Sequence, residues 1–222
     1  MPAIMSIWAI IPVKHLDEAK SSLARVLDQM TRRSLVLAML ADMLHAIAEA
    51  PSISKTAVVS PDNEVLDFVQ SRHAESVKDP GLDLNGAFQL AISHAVASGA
   101  KAVLLLPGDL PLIRTADIEN IIAMATAERD VAIAPSKANG TNALFLRPPD
   151  LMDLKFGGES FPRHLAEAVR AGVKPRIYRS ITMSFDIDEP EDLLKFKKLG
   201  TGTKTFKVLE QKLAVFDNEI GS

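Results

Sequence analysis

The sequence predicts an α/β protein, a three-layer α/β/α sandwich built on a mostly parallel sheet. Two observations carry that expectation. Short β-rich apolar runs recur along the chain, and their apolar residues are continuous instead of alternating, as strands buried on both faces require. Between the runs lie segments with helical period, and strand-helix alternation of this kind implies right-handed crossovers and a sheet covered on both sides. The length agrees: 222 residues with 47% hydrophobic content can bury a sizeable core, yet fall below the roughly 250–300 residues at which single cores split. One domain spanning 1–222 is expected.

In order, the first strand is expected at Ile7–Val13 and the first long helix at Thr31–Ala50. A strand at Thr56–Ser60 and a helix at Asp83–Gly99 follow, with Gly99 placed where a C′ glycine ends a helix. Ala102–Pro107 reads as a strand, Thr115–Glu128 as a helix capped by Thr115, and Val131–Pro135 and Asn142–Leu146 as further strands. The pattern breaks over 140–185, read as an inserted subregion. There "RIYRSITMSFDID" returns to strand, expected antiparallel, and Pro190 opens another helix. The tail, 200–222, has weak periodicity, and its last residues read as an ill-ordered end.

The formal charge of -3 comes from evenly mixed acids and bases, so no basic field exists to hold nucleic acid or an anionic membrane. With no cysteine there is neither a disulfide framework nor a thiolate metal cage. The start "MPAIMSIWAII" lacks a basic leader pattern, and no apolar run reaches the ~20 residues that span a bilayer. A cytoplasmic setting fits these features.

In open α/β sheets, ligands bind beyond the carboxyl ends of the strands. "LLLPGDLPL" places Asp109 at such an end, between a Gly that admits close backbone approach and a Pro that fixes the turn. A carboxylate there can hold magnesium beside substrate phosphates; the alternative is an Asx-turn or a helix cap. "IIPVKHLDEAKSSLARVL" places Lys14 and Lys20 in the loop after the first strand, where ammonium groups and backbone N–H donors suit phosphates. A solvated segment in which Asp17 and Glu18 pair with those lysines reads equally well. "DLNGAFQLAI" puts Asn85 and Gly86 at a helix start, available either to a nucleotide or as a plain cap. "FDIDEPEDL" sets Asp186 and Asp188 at alternate positions of a strand, both projecting to one face, where a second metal-facing acid fits. The five histidines show no ligand spacing and default to core or surface roles.

The ordered set "IPVK" with "AKSSLA", "DLNGA", "LLLPGDLPL", "GTNAL", "FGGESF" and "DIDEPEDL" resembles the nucleotidyltransferases of molybdopterin-guanylyltransferase type, and within them the 2-phospho-L-lactate guanylyltransferase branch. The likeness runs from about Ser6 to Leu199. The broader superfamily has a glycine-rich first loop that is missing here. The resemblance implies a Rossmann-like sheet of nucleotide-diphospho-sugar transferase type and transfer of GMP from GTP to 2-phospho-L-lactate or a related phospho-acid. That reaction releases pyrophosphate and serves the synthesis of the deazaflavin coenzyme F-420. By the same resemblance Pro12, Val13, Lys14 and Lys20 contact the triphosphate, and Asn85 and Gly86 meet the nucleotide. Asp109 with Asp188 and Asp186 holds Mg2+, and Thr141, Gly157 and Ser160 receive the acceptor. The inserted region and the tail offer surfaces for a homodimer contact. Two other readings are a nucleotidyltransferase acting on a sugar phosphate or molybdopterin, and a non-catalytic nucleotide-binding module.

Overall fold

A computed structural model describes the backbone of residues 6–220 and the side chains of 6–213. The expectations for the leader and for the last residues fall largely outside this described part. Seven strands, β1 (Ile7–Pro12), β2 (Lys55–Ser60), β3 (Glu75–Lys78), β4 (Ala102–Leu105), β5 (Asp130–Pro135), β6 (Thr141–Arg147) and β7 (Arg176–Ile177), form one sheet in the order β3-β2-β1-β4-β6-β5-β7. Pairing is parallel from β3 through β2 and β1 to β4, and antiparallel on both sides of β6. Strand β7 pairs parallel to β5.

The helices are α1 (Gln29–Ala48), α2 (Asn63–Gln70), α3 (Leu84–Ala97), α4 (Thr115–Ala123), α5 (Ser160–Arg170), α6 (Pro190–Leu199) and α7 (Lys204–Ile220). Side chains of β1 alternate between two cores, as the period of a strand dictates. Ile7, Ala9 and Ile11 join the core under α1, α2, α4, α6 and α7, while Trp8 and Ile10 join the core under α3 and α5. Every residue of β1, β4 and β5 is buried; the runs are apolar except at Asp130, whose carboxylate accepts the Thr126 and Ala127 backbone N–H groups. Each fully buried Ile, Leu or Phe contributes roughly 1.5–3 kcal/mol, so these strands form a rigid floor.

Four expectations are corrected. The antiparallel strand is β6, because only residues 136–140 separate β5 from β6. That hairpin-length loop cannot carry a crossover. Strand β7 ends at Ile177, and residues 185–188 form no strand. Asp186 and Asp188 therefore do not share a strand face. Thr115 is the first residue of α4 and not its cap, and its hydroxyl donates to the Ala46 carbonyl at 2.9 Å. The tail forms α7, which packs Leu209 and Leu213 against the α1 core. Asp42 of α1 accepts the Lys204 and Thr205 backbone N–H groups at 2.8 and 2.9 Å, capping that helix from across the fold. Gly99 follows α3 at φ 92°, as a C′ glycine does.

Candidate active site

The carboxyl ends of β1, β2, β4 and β5 share one edge of the sheet, and the reversed direction of β6 brings its first residue, Thr141, to that same edge. The loops that follow β1, β4 and β7, and the β5–β6 hairpin, therefore open on one side. After β4 the chain turns at Pro107-Gly108. A Cβ on Gly108 would lie 2.9 Å from the Pro12 carbonyl oxygen and 3.2 Å from Val13 Cγ2, so only glycine lets the two strand ends meet this closely.

Asp109 projects beyond that turn. Its Oδ2 accepts from Lys20 Nζ at 2.8 Å, and Asp188 Oδ1 accepts from the same nitrogen at 2.8 Å. Lys20 has the left-handed conformation (φ 53°, ψ 42°) and precedes the 3-10 turn Ser21–Arg25. The Lys20 side chain is only 10% exposed. Burial works against its charge, but the attraction of Asp109 and then Asp188, with the hydrogen bonds to both, outweighs it and holds the ammonium above its usual range. The hydroxyl of Ser22 donates to the Asp188 carbonyl oxygen, fastening the two loops together.

This cluster lies on one of two adjoining clefts. One, of about 370 Å³, is lined by Pro12, Val13, Lys14, Lys20, Asp109 and Asp188, among others. The other, of about 420 Å³, shares Pro12, Val13 and Lys14 and extends to Val59, Asp79 and Leu82. Asp17 pairs with Arg33 and not with a lysine, and Asp62 accepts the Leu16 backbone N–H at 3.0 Å. These contacts hold the loop while the exposed Lys14 stays available at the cleft. Asn85 and Gly86 line neither cleft, although their neighbours Leu84 and Ala87 do. Asp83 caps α3 by accepting the Gly86 N–H at 2.8 Å. The Asn85 amide instead bonds the Phe156 backbone twice, at 2.8 and 3.1 Å.

Asp186 turns toward Lys137, whose Nζ lies 2.9 Å from its Oδ1 and 2.7 Å from Asp192 Oδ1. Sequence patterning did not single out Lys137. Burial raises the Asp186 pKa against the pull of Lys137, and repulsion from Asp188 and Asp109 raises it further. Four carboxylates, Asp109, Asp186, Asp188 and Asp192, thus gather around two ammonium groups.

The acceptor candidates form a second cluster. Thr141 and Ser160 are buried, and Ser160 Oγ donates to Thr141 Oγ1 at 3.2 Å. His164, buried behind them, meets the same threonine oxygen through Nδ1 at 2.9 Å. Gly157 has φ 121°, and Glu159 is left-handed at the amino end of α5, so the "FGGES" stretch makes a tight entry to that helix.

Among the described residues no three side chains form a closed metal cage. Asp109 and Asp188 nevertheless converge on one point that already holds a positive charge. Two hard carboxylates gathered at one point are the donor type that Mg2+ uses when phosphates complete its shell. The residues fit the ion.

A crystal structure described as a nucleotide-diphospho-sugar transferase from Desulfovibrio desulfuricans G20 superposes with a TM-score of 0.78 at 18% identity, covering 96% of this chain and 98% of the other. The fold is therefore that of the nucleotide-diphospho-sugar transferases. The sequence profile of the family described as "Guanylyl transferase CofC like" matches residues 7–218, and the chain belongs to that family of guanylyltransferases. A phosphoenolpyruvate guanylyltransferase from Rubrobacter xylanophilus is 40% identical over 88% of this chain and 96% of its own. A 2-phospho-L-lactate guanylyltransferase from Methanocaldococcus vulcanius is 37% identical over 90% of this chain and 89% of its own.

Proposed function

We propose that this guanylyltransferase transfers GMP from GTP to a phosphorylated three-carbon acid, 2-phospho-L-lactate or phosphoenolpyruvate. The products are the corresponding diphosphoguanosine, lactyl-2-diphospho-5'-guanosine from phospholactate, and pyrophosphate, as a step toward coenzyme F-420. The observation that carries this reading is the pair Asp109 and Asp188 gathered on Lys20 in the wall of the first cleft.

Nucleoside and triphosphate lie in the two adjoining clefts, with Lys14 and Lys20 on the phosphates. Asp109 and Asp188 would hold the magnesium, which when bound neutralises phosphate charge. Asp186 supports the cluster through Lys137. A phosphate oxygen of the acceptor attacks the α-phosphorus in line; the bond to the β-phosphate breaks, and pyrophosphate departs with the electron pair. A phosphate monoester with a second pKa of about 6 is largely ionised at neutral pH, so the attack needs no base. It needs two repelling anions held in register, which the lysines and the positive end of α5 supply.

The test is pyrophosphate release with GTP, Mg2+ and an acceptor panel: 2-phospho-L-lactate, phosphoenolpyruvate, 3-phosphoglycerate and a sugar phosphate. Release with either of the first two acids supports the proposal. Release only with the sugar phosphate replaces the acceptor, and GTP binding without release from any acceptor leaves a nucleotide-binding module.

A further inference from the structure

His164 is fully buried and takes no part in the bond-making of the proposed reaction. Its hydrogen bonds nevertheless determine its tautomer. Nε2 accepts the Lys155 backbone N–H at 2.9 Å, and a ring nitrogen that accepts from an amide carries no proton. The hydrogen of the neutral imidazole is therefore on Nδ1, which donates to Thr141 Oγ1 at 2.9 Å. Ser160 Oγ donates to that same oxygen at 3.2 Å. A hydroxyl has two lone pairs and one hydrogen. With both lone pairs engaged, all that Thr141 can offer a ligand is its hydrogen.

We propose that His164 is a positioning residue that makes Thr141 an obligate hydrogen-bond donor toward the anionic oxygens of the acceptor. The inference rests on the reading that Thr141 meets the acceptor. An unanchored threonine could turn a lone pair toward the anion and repel it; the imidazole N–H removes that option before the ligand arrives. The same ring steadies the loop that leads into α5. Phe156 packs edge-on against it, with ring centroids 4.7 Å apart, and stacks on Phe88 of α3 at 4.4 Å. Burial, with the nearby Arg163 and Lys155 charges, lowers the His164 pKa to about 4, so the neutral tautomer persists at working pH.

The experiment compares KM for acceptor and for GTP, and kcat, in wild type, Thr141→Val, His164→Gln and His164→Asn. Asparagine keeps a donor where Nδ1 stood, whereas glutamine keeps an acceptor where Nε2 stood. The expected result is a roughly 10- to 100-fold rise in acceptor KM for Thr141→Val and His164→Gln, the range for losing a hydrogen bond to a charged group. Acceptor KM for His164→Asn stays near the wild-type value, and GTP KM is unchanged throughout. If Thr141→Val leaves acceptor KM unchanged, the reading of Thr141 fails. If that variant is impaired while His164→Gln is normal, or if His164→Asn is the impaired histidine variant, the positioning role fails alone. A measurement on the unmutated enzyme covers variants that do not fold. In 15N-histidine spectra, His164 should show a protonated Nδ1 and a bare Nε2 at neutral pH, and the opposite tautomer overturns the proposal.

Discussion

Lys20 and Asp109 are separated by 89 positions in the chain and meet as ammonium and carboxylate at 2.8 Å. Asp188 completes the arrangement from the far end of the sequence, at the same distance from the same nitrogen. A single positive charge thus already occupies the point where the two carboxylates converge, beside the cleft assigned to the triphosphate.

Asp109→Asn keeps the size of the side chain and removes its charge. Turnover, followed as pyrophosphate release, should fall on the order of 10²–10³-fold, as expected for loss of a group that stabilises developing charge. The thermal midpoint should change little, because Lys20 keeps Asp188. A near-normal rate would make Asp109 a purely structural acid.

Lys20→Met leaves Asp109 and Asp188 facing one another without their shared ammonium. Without nucleotide, Mn2+ should then bind more tightly than in wild type, since the competing cation is gone, while kcat falls because one ammonium fewer faces the triphosphate. Titration of Mn2+ by EPR reads the first effect. Weaker Mn2+ binding would show that the lysine helps to build the metal site instead of occupying it.

Gly108→Ala drives a methyl group to 2.9 Å from the Pro12 carbonyl oxygen. That oxygen belongs to the buried end of β1 and cannot move aside like a flexible side chain. The expected cost is about 1–3 kcal/mol of stability, with a higher KM for GTP as the ends of β1 and β4 separate. Denaturant unfolding and GTP saturation curves read the two effects.

The His164 pKa of about 4 lies below the ordinary histidine value of 6.5. Between those values the unfolded chain binds a proton that the folded chain refuses, so stability from this residue is full above the higher value and lost as pH falls toward the lower one. From about pH 7 to about pH 5 the loss is about 2 kcal/mol by proton linkage. Unfolding curves at both pH values should show wild type losing that much more than His164→Asn. Equal losses would mean that the imidazole accepts its proton without cost to the fold.

Much of the sheet was legible because β1, β4 and β5 are apolar on both faces, a pattern read without knowing what covers them. The direction of β6 was also encoded, in the five residues between Pro135 and Thr141. Helix α7 was missed: Phe206, Leu209 and Leu213 lie at helical spacing, but the polar residues between them left the tail reading as weakly periodic. Short elements such as β3 and α2 carry too few residues to repeat a period. Within the candidate site, Lys20 and Asp109 were singled out from the loops that hold them, and the structure brings the two side chains together. Lys137 was not: its role depends on Asp186 and Asp192, more than forty positions away, which tertiary packing alone brings to it. For the same reason the bonds of Asn85 to the Phe156 backbone and of His164 to Thr141 left no trace in local sequence.

The most direct test of a cation held between the two carboxylates is the anomalous scattering of Mn2+ in crystals grown with GTP and an unreactive acceptor analogue. One peak shared by the Asp109 and Asp188 carboxylates and the triphosphate is predicted, with Lys20 moved onto a phosphate. A peak bound to other side chains, with the triphosphate remote from Asp109, would contradict it.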